Sequence, residues 1–579
     1  MAATHGGEIV AAMLAAEGVD RVFGIIDGTY FGLYSNLEKH GIRLVSPRHE
    51  TSALHMAGSY ARLTGKLGVA IASNGPGVAN ALPGIAVESG EGHRVLLVTS
   101  SRREGIGYPD RGGTFQYFDQ VGVIGGMSKW SVAVPDRTRI PELMRRAFRT
   151  SWSGRPGVVH VDIPESIING KDKFDHTSVP TPASYRRTDP LGPEPEAVAR
   201  AAEMLAGADL PLIHAGTGVV HSRAFDSLRQ VAETLGAPVT TSWGGRGSLP
   251  EDHPLSVPMT LLDTYQKLRN ESDVVLVVGS RLGETDWWGK PPYWRSPLEQ
   301  KMIQVDVDDH WIGVNKPVDL AILSDAERFL RLLAKELESG HDITKRADTW
   351  SEAATRERSK LDERLEESRD DGINPGRIPR ICQETLPDET TWVFDGGNAT
   401  VWSQFYHRAN RPNSVLATFK FGMLGAGVAQ ALGAQVARPT DTVCCLIGDG
   451  AMGFHPQEVE TAVRNDLPVI YVVFVDLQWG MVKMNQQFSL RPVKTVVRKK
   501  LGEGETINAD FSEIRFNELA RSMGAHGERA STDDELREAL QRSVESGKPA
   551  VIHVDVDPVT HMWAPKLRAF KDMHSEPGG

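Results

Sequence analysis

A chain of 579 residues that is 40% hydrophobic is long enough to bury several cores, and three domains are expected. The formal net charge of -11 argues against a nucleic-acid partner. No apolar run approaches membrane-spanning length and residues 1–7 lack a basic leader pattern, so no membrane association is expected. The three cysteines, Cys382, Cys444 and Cys445, suggest neither a disulfide nor a zinc site, and a reducing, cytoplasmic setting is implied.

In chain order, an amphipathic helix is predicted over 8–19, followed by short apolar strands at 21–24, 43–45, 68–72, 95–99 and 158–162. Helical patterns fill most of the gaps, which is the alternation of a doubly wound parallel sheet. A polar, proline-rich stretch at 171–196 reads as a linker. A second alternating unit follows over 197–337, with strands at 211–215, 238–241, 274–278 and 302–305. The charged segment 344–371 reads as a solvated helix leading to a third unit over 375–556. The fold class is therefore α/β, with doubly wound parallel-sheet domains at 1–170, 190–340 and 375–560. Near the end of the chain, Arg498-Lys499-Lys500 reads as a solvated loop. The tail carrying Lys566, Arg568, Phe570 and Lys571 reads as a surface segment or a closing one.

The third unit carries the most specific chemistry. An apolar strand at 443–447 delivers Gly448-Asp449-Gly450, and a helix and a strand later Asp476 follows the apolar run 469–474. A carboxylate at the end of a parallel strand, beside a glycine turn that frees backbone N–H groups, suits a hard cation bridging protein oxygens to a diphosphate. Taken alone, Gly-Asp-Gly is a common turn. With these flanks it resembles the signature of the thiamine diphosphate enzymes, Gly-Asp-Gly followed at this distance by Asn-Asn. Within that family the chain is most similar to the acetolactate synthase-like group of 2-oxo acid decarboxylases and carboligases. Val475-Asp476 stands where Asn-Asn is usual, and aspartate remains a legitimate oxygen ligand for Mg²⁺.

The resemblance covers nearly the whole chain and implies the order pyrimidine-binding, middle and diphosphate-binding domain. Arg48-His49-Glu50 resembles the family's Arg-His-Glu segment, which makes Glu50 the carboxyl that protonates the cofactor's aminopyrimidine. Ser73-Asn74-Gly75-Pro76-Gly77 is similar to its Ser-Gly-Pro-Gly loop and places Gly75 against the cofactor. Phe115-Gln116 matches a pair that the group sets near the substrate, with Gln116 in a catalytic place. In 421–427, the match makes the Gly422 carbonyl the acceptor for the exocyclic amine and Leu424 the wedge between the two rings. Further cofactor contacts are implied at Asn398, Gly448, Gly450, Ala451, Met452 and Met481, and metal ligation at Asp449, Asp476 and Gln478.

Departures from the family pattern bear on substrate and flavin. Asn398-Ala399 replaces a Gln-His pair, Asp27-Gly28-Thr29-Tyr30 replaces a Pro-Gly-Gly type turn, and Asn485 falls where acetolactate synthase has a tryptophan that helps select the acceptor. With Lys483 nearby, these point to a polar or anionic acceptor, and Asp27, Phe115, Lys483 and Asn485 are the substrate candidates. In the flavin-binding segment of related enzymes this chain keeps Arg281 but loses the second arginine and carries Trp287 and Trp288, so FAD is not expected. Gly216-Thr217-Gly218 is a bare turn or a phosphate contact. In this family, residues equivalent to Glu50 and Asp449 serve one cofactor from different chains, so a homodimer or homotetramer with shared active sites is implied. The expected activity is a thiamine diphosphate- and Mg²⁺-dependent carboligase or decarboxylase acting on a small 2-oxo acid such as pyruvate and an acceptor. The alternatives are a C–C lyase or hydrolase of a diketone or of a 2-hydroxyacyl-CoA or oxalyl-CoA type substrate, and a flavin-dependent oxidase of the pyruvate-oxidase type.

Overall fold

The computed structural model describes residues 3–106, 110–173, 179–338, 350–366, 372–498, 504–567 and 569. The chain divides into two compact units, one of Met1–Asp189 with Gly425–Asp441 and His455–Val469, the other of Pro190–Leu424 with Thr442–Phe454 and Ile470–Gly579.

The first unit begins with β1 (Ala3–His5) and the strands β2 (Arg21–Gly24), β3 (Arg43–Val45), β4 (Gly68–Ala72), β5 (Val95–Ser101), β6 (Trp130–Ala133), β7 (Val158–Pro164) and β8 (Lys171–Lys173). Six of them form one sheet of order β3-β2-β4-β5-β7-β6, parallel throughout. β4 is buried on both faces, as a near-continuous apolar run in a helix-covered parallel sheet must be. The sequence pattern misses β6, whose Trp-Ser-Val-Ala stretch is an incompletely buried edge. It also takes for linker a strand, β8, that pairs antiparallel with β1 through backbone bonds which its charged Lys-Asp-Lys side chains do not advertise. The first helix runs over Gly6–Ala16 and is buried from Gly6 to Leu14, a more enclosed helix than an amphipathic pattern implies.

Helix Glu50–Thr64 is buried nearly end to end because helix Ala426–Ala437 lies against it. Glycine allows that approach: a Cβ at Gly433 would strike the Met56 carbonyl and the Ser59 hydroxyl.

The second unit contains two sheets. The first comprises β9 (Pro211–Ala215), β10 (Val239–Thr241), β11 (Ser256–Val257), β12 (Val274–Val278), β13 (Lys301–Asp306) and β14 (Leu320–Leu323), in the order β11-β10-β9-β12-β13-β14. The other comprises β15 (Thr391–Asp395), β16 (Val415–Ala417), β17 (Val443–Gly448), β18 (Ile470–Val475), β19 (His526–Ala530) and β20 (Ala550–Asp555), in the order β16-β15-β17-β18-β20-β19. Both are parallel throughout. Among the described residues there are thus three six-stranded parallel sheets with helical connections, the α/β class expected.

Within 344–371, helix Ser351–Glu363 is present and largely solvated, while 344–349 and 367–371 lie outside the described residues. So do Lys499 and Lys500 of the basic cluster, and Arg568, Phe570 and Lys571 of the tail. The three cysteines are buried free thiols. Among the described residues no helix is long and apolar enough to cross a membrane.

Candidate active site

The sheet of β15 to β20 builds a cradle at its C-terminal edge. Register places Asp395 beside Ile447, Gly448 beside Phe474 and Val475 beside Asp555, so the residues that follow neighbouring strands emerge together. This is the edge at which open α/β sheets bind ligands. Asp449 and Asp476, each 7% exposed, leave the adjacent strands β17 and β18 there.

Asp449 accepts the N–H of Gly450 at 2.7 Å on one oxygen and that of Leu477 at 2.8 Å on the other. Leu477 gives this bond from a left-handed backbone, φ +56°, a conformation that costs a residue with a Cβ roughly 1–2 kcal/mol. Asp476 Oδ2 takes the side-chain amide of Gln478 at 3.0 Å and meets His561 Nδ1 at 2.7 Å. Gln478 spends its side-chain amide on Asp476 and on the Pro558 carbonyl, 2.8 Å away, and its backbone carbonyl accepts from Gly480 N–H. Burial first, and the Asp476 carboxylate second, push the Asp449 carboxyl up to about 7. A buried carboxyl pushed toward protonation beside a second acid is a group that a bound divalent cation would hold charged.

Asn398 supplies a second sign of fit. It opens helix Asn398–Tyr406 after β15, is 4% exposed, and has neither side-chain polar atom hydrogen-bonded among the described residues. Leaving a buried amide unpaired costs about 1–3 kcal/mol per group. The space in front of it is kept by glycine: a Cβ at Gly480 would lie 2.6 Å from Asn398 Nδ2 and 3.5 Å from Asp476 Oδ2. Across it, Met481 Cγ would lie 3.1 Å from a Cβ at Gly397. Ala451 and Met452 are buried in the turn after Asp449, and Gly450 is needed because Trp479 Cζ3 stands 2.7 Å from where its Cβ would be. Carboxylate oxygens, an amide without a hydrogen bond among the described residues, and glycine-kept space fit a metal-bound diphosphate. A cavity of about 510 Å³ opens beside Asp449, walled by Phe454, Leu477, Trp479, Phe511 and Ile514.

Among the remaining candidates in this unit, Lys483 is tied to Asp510 Oδ1 at 2.5 Å and Asn485 is exposed on helix Gly480–Leu490. Gly422 takes φ +67°, open only to glycine without strain, and Leu424 is half-buried. In the sheet of β9 to β14, Gly216 and Gly218 pack against the Gly279 backbone, so the expected turn is a close-packing device. Trp287, 2% exposed, stacks on Tyr293 at 4.8 Å with the buried Arg269 guanidinium 4.8 Å from its ring.

In the first unit, Glu50 opens helix Glu50–Thr64, 8% exposed, and accepts the Asn80 side-chain amide at 3.1 Å. Its other oxygen lies 3.2 Å from where a Cβ at Gly77 would stand. Asn74 donates its side-chain amide to the Gln116 carbonyl at 3.1 Å, and Gly75, φ +65°, sits so close to that carbonyl that a Cβ would approach to 2.5 Å. Gln116 is itself left-handed at φ +54°, and Phe115 is 72% exposed. Asp27 caps its own turn through Thr29 N–H at 2.8 Å. Burial, then the Asp27 and Glu50 carboxylates, raise the Tyr30 phenol, which marks those two acids as neighbours of one ring.

The sequence reading misses His561 and Asn80. Each reaches its carboxylate from a distant or differently used segment, and neither carries a local motif.

Family models of the thiamine pyrophosphate enzymes match the chain in three places: the N-terminal TPP binding domain at 4–123, the central domain at 198–333 and the C-terminal TPP binding domain at 395–554. The chain belongs to this enzyme family. It is 30% identical to a probable acetolactate synthase large subunit of Methanocaldococcus jannaschii over 573 residues, 96% of this chain and 92% of the relative. It is 31% identical to a sulfoacetaldehyde acetyltransferase of Alcaligenes xylosoxydans xylosoxydans, covering 93% and 91%. It is 29% identical to a 2-hydroxyacyl-CoA lyase of Oryza sativa subsp. japonica, covering 96% and 95%.

Proposed function

We propose that the chain is a thiamine diphosphate- and Mg²⁺-dependent carboligase that removes carbon dioxide from a small 2-oxo acid such as pyruvate and passes the acyl unit to an acceptor carbonyl. The observation that carries this is the pairing of Asp449 with Asp476 at one sheet edge, where Asp476 borders the space kept by Gly480 in front of the Asn398 amide, which has no hydrogen bond among the described residues. Relatives named as an acetolactate synthase and an acetyltransferase support the reaction class. When bound, the cofactor supplies the electron sink for the carbanion left by decarboxylation.

Asp449, Asp476 and Gln478 would hold the metal, Gln478 through its carbonyl since its amide is spent. Asn398, Met481 and the turn of Gly448, Gly450, Ala451 and Met452 would hold the diphosphate. Glu50, oriented by Asn80, holds the proton delivered to the aminopyrimidine. Gly75 and the Gly422 carbonyl would line the ring system and Leu424 would keep it bent. Gln116, Phe115 and Asp27 would face the substrate, while Asn485 and Lys483 would receive a polar acceptor, with Lys483 exchanging Asp510 for the acceptor's anionic group. Sites shared between chains make the working unit a homodimer or homotetramer, with domains at 1–170, 190–340 and 375–560. A second reading, cleavage of a C–C bond in a 2-hydroxyacyl-CoA, is favoured by the rice relative, of which the match covers 95%.

The test supplies purified protein with thiamine diphosphate, Mg²⁺ and a panel of 2-oxo acids, measures carbon dioxide release, and identifies products by mass. Release from at least one acid, lost in Glu50→Gln, is expected. No release from any of them, with cleavage of a 2-hydroxyacyl-CoA instead, replaces the first reading by the second.

A further inference from the structure

The three first-unit segments that carry Asp27, Gly75 and Gln116 are tied together from beneath by a buried polar node. Ser100, at the end of β5, receives the N–H of Asn74 on its hydroxyl at 3.0 Å, and the same hydroxyl meets that of Thr29 at 2.5 Å in the turn capped by Asp27. Gln120 opens helix Gln120–Gly125 and is 5% exposed. Its Oε1 takes the N–H of Gly75 at 3.4 Å, and its amide hydrogens go to the Ser100 carbonyl at 2.8 Å and to Asp162 Oδ1 at 2.5 Å. Asp162, on β7, also accepts the Thr99 hydroxyl at 2.7 Å. Behind Thr99 the network continues to His160 Nε2, 2.7 Å, whose Nδ1 meets Ser131 at 2.8 Å.

Glutamine is specified here by its inventory. One acceptor and two donors on a flexible stem allow it to bridge a loop N–H, a strand carbonyl and a carboxylate at once. The carboxylate is costly to keep: burial pushes Asp162 up to about 6, and bonds from Ser101, Thr99 and Gln120 oppose that rise. A buried acid held by several neutral donors is a rigid point to which a loop can be fixed. What it fixes includes strain, since Gln116 takes a positive φ where its backbone packs against Gly75. Such conformations persist only where the surroundings over-determine them.

We propose that Gln120, anchored by Asp162, is a positioning residue that holds the Gly75 loop and the left-handed Gln116 in the geometry the acyl-transfer site requires. This rests on the function proposed above. The test compares Gln120→Leu, Gln120→Asn and Asp162→Asn in the cofactor-loaded full chain. It measures hydrogen–deuterium exchange in peptides spanning 73–80 and 112–119, thiamine diphosphate affinity, and kcat and KM with pyruvate. In Gln120→Leu, exchange at 73–80 should rise and kcat should fall by roughly 10-fold each, the equivalent of one hydrogen bond, with cofactor affinity falling by much less because the diphosphate is held elsewhere. Asp162→Asn, whose amide oxygen still accepts from Gln120 and Thr99, should keep most of the protection and of kcat. If Gln120→Leu loosens the whole unit, Gln120→Asn, one methylene shorter and still polar, decides. Wild-type protection at 73–80 in that variant overturns the proposal, as does a loss of turnover matched by a loss of cofactor affinity. Should the wild type itself leave pyruvate untouched, the substrate reading fails while the exchange data still judge Gln120.

Discussion

Gly480→Ala separates the cradle from the fold that supports it. The added Cβ lies 2.6 Å from Asn398 Nδ2 and 3.5 Å from Asp476 Oδ2, roughly 1 Å short of ordinary contact at the amide. Gly480 begins a helix without positive φ, so alanine meets no backbone obstacle and gains helix propensity. Among the described residues Asn398 has no hydrogen bond holding its side chain, and its retreat off rotamer costs about 0.5–1.5 kcal/mol. The apoprotein should therefore melt within a few degrees of wild type. The diphosphate, in contrast, loses a hydrogen bond to a charged group, worth about 1.5–3 kcal/mol. That weakens binding by roughly 10- to 150-fold. Titrating thiamine diphosphate at saturating Mg²⁺ against tryptophan fluorescence measures it, since Trp479 stands beside Gly450. Affinity within twofold of wild type would refute the idea that this space belongs to the diphosphate.

Glu50→Gln should keep cofactor affinity and lose roughly 10²- to 10⁴-fold in turnover, read by carbon dioxide release and by exchange of the cofactor's acidic proton. Asp476→Asn removes a like charge from beside Asp449 and should make the metal-free protein more stable at neutral pH in a denaturant melt, while still binding Mg²⁺. Asp162 is raised from 3.8 to about 6, so between those values the native state holds a proton that the unfolded chain has released. Stability should then rise as pH falls through 6, by at most about 3 kcal/mol, and Asp162→Asn should flatten that slope in denaturant melts at pH 5 and 7. Lys483→Ala should raise KM for the acceptor without changing cofactor affinity, and Asp510→Ala, which frees the ammonium, should lower it; unchanged KM in both removes Lys483 from the acceptor site.

The parts legible in the sequence are those whose chemistry is local. Strands β2, β3 and β4 stand where the apolar runs place them because buried parallel strands need little else. The Gly448-Asp449-Gly450 turn shows itself because one short segment must supply a carboxylate and room at once. Edges are different. β6 and β8 are held by backbone pairing to a neighbour far along the chain, and their half-polar side chains give no periodic signal. Partners are harder still: nothing near Lys483 announces that Asp510 neutralises it, and nothing near Gln120 announces Asp162.

Why two acids out of several become the candidate ligands is a question only register answers. Parallel strands in register bring Asp395, Asp449, Asp476, Asp555 and Asp557 to the same end of one sheet, a density of negative charge that must be offset residue by residue. Asp395 bonds the N–H of Gly396 at 2.6 Å; Asp555 pairs with the Arg529 guanidinium at 2.8 Å; Asp557 caps helix Pro558–Met562 through Val559 and Thr560. Each of these has a structural employer of ordinary kind, and, against the rise that burial alone would cause, hydrogen bonds from His553 and Arg529 hold Asp555 well below the usual carboxylate range. Among the described residues Asp449 and Asp476 have only backbone and neutral-amide donors apart from His561, and the former is driven toward protonation by burial and by the latter. An edge that gives the other acids turn, capping or ion-pair roles, while setting Asp476 beside the space in front of Asn398, suits the cation proposed for Asp449 and Asp476.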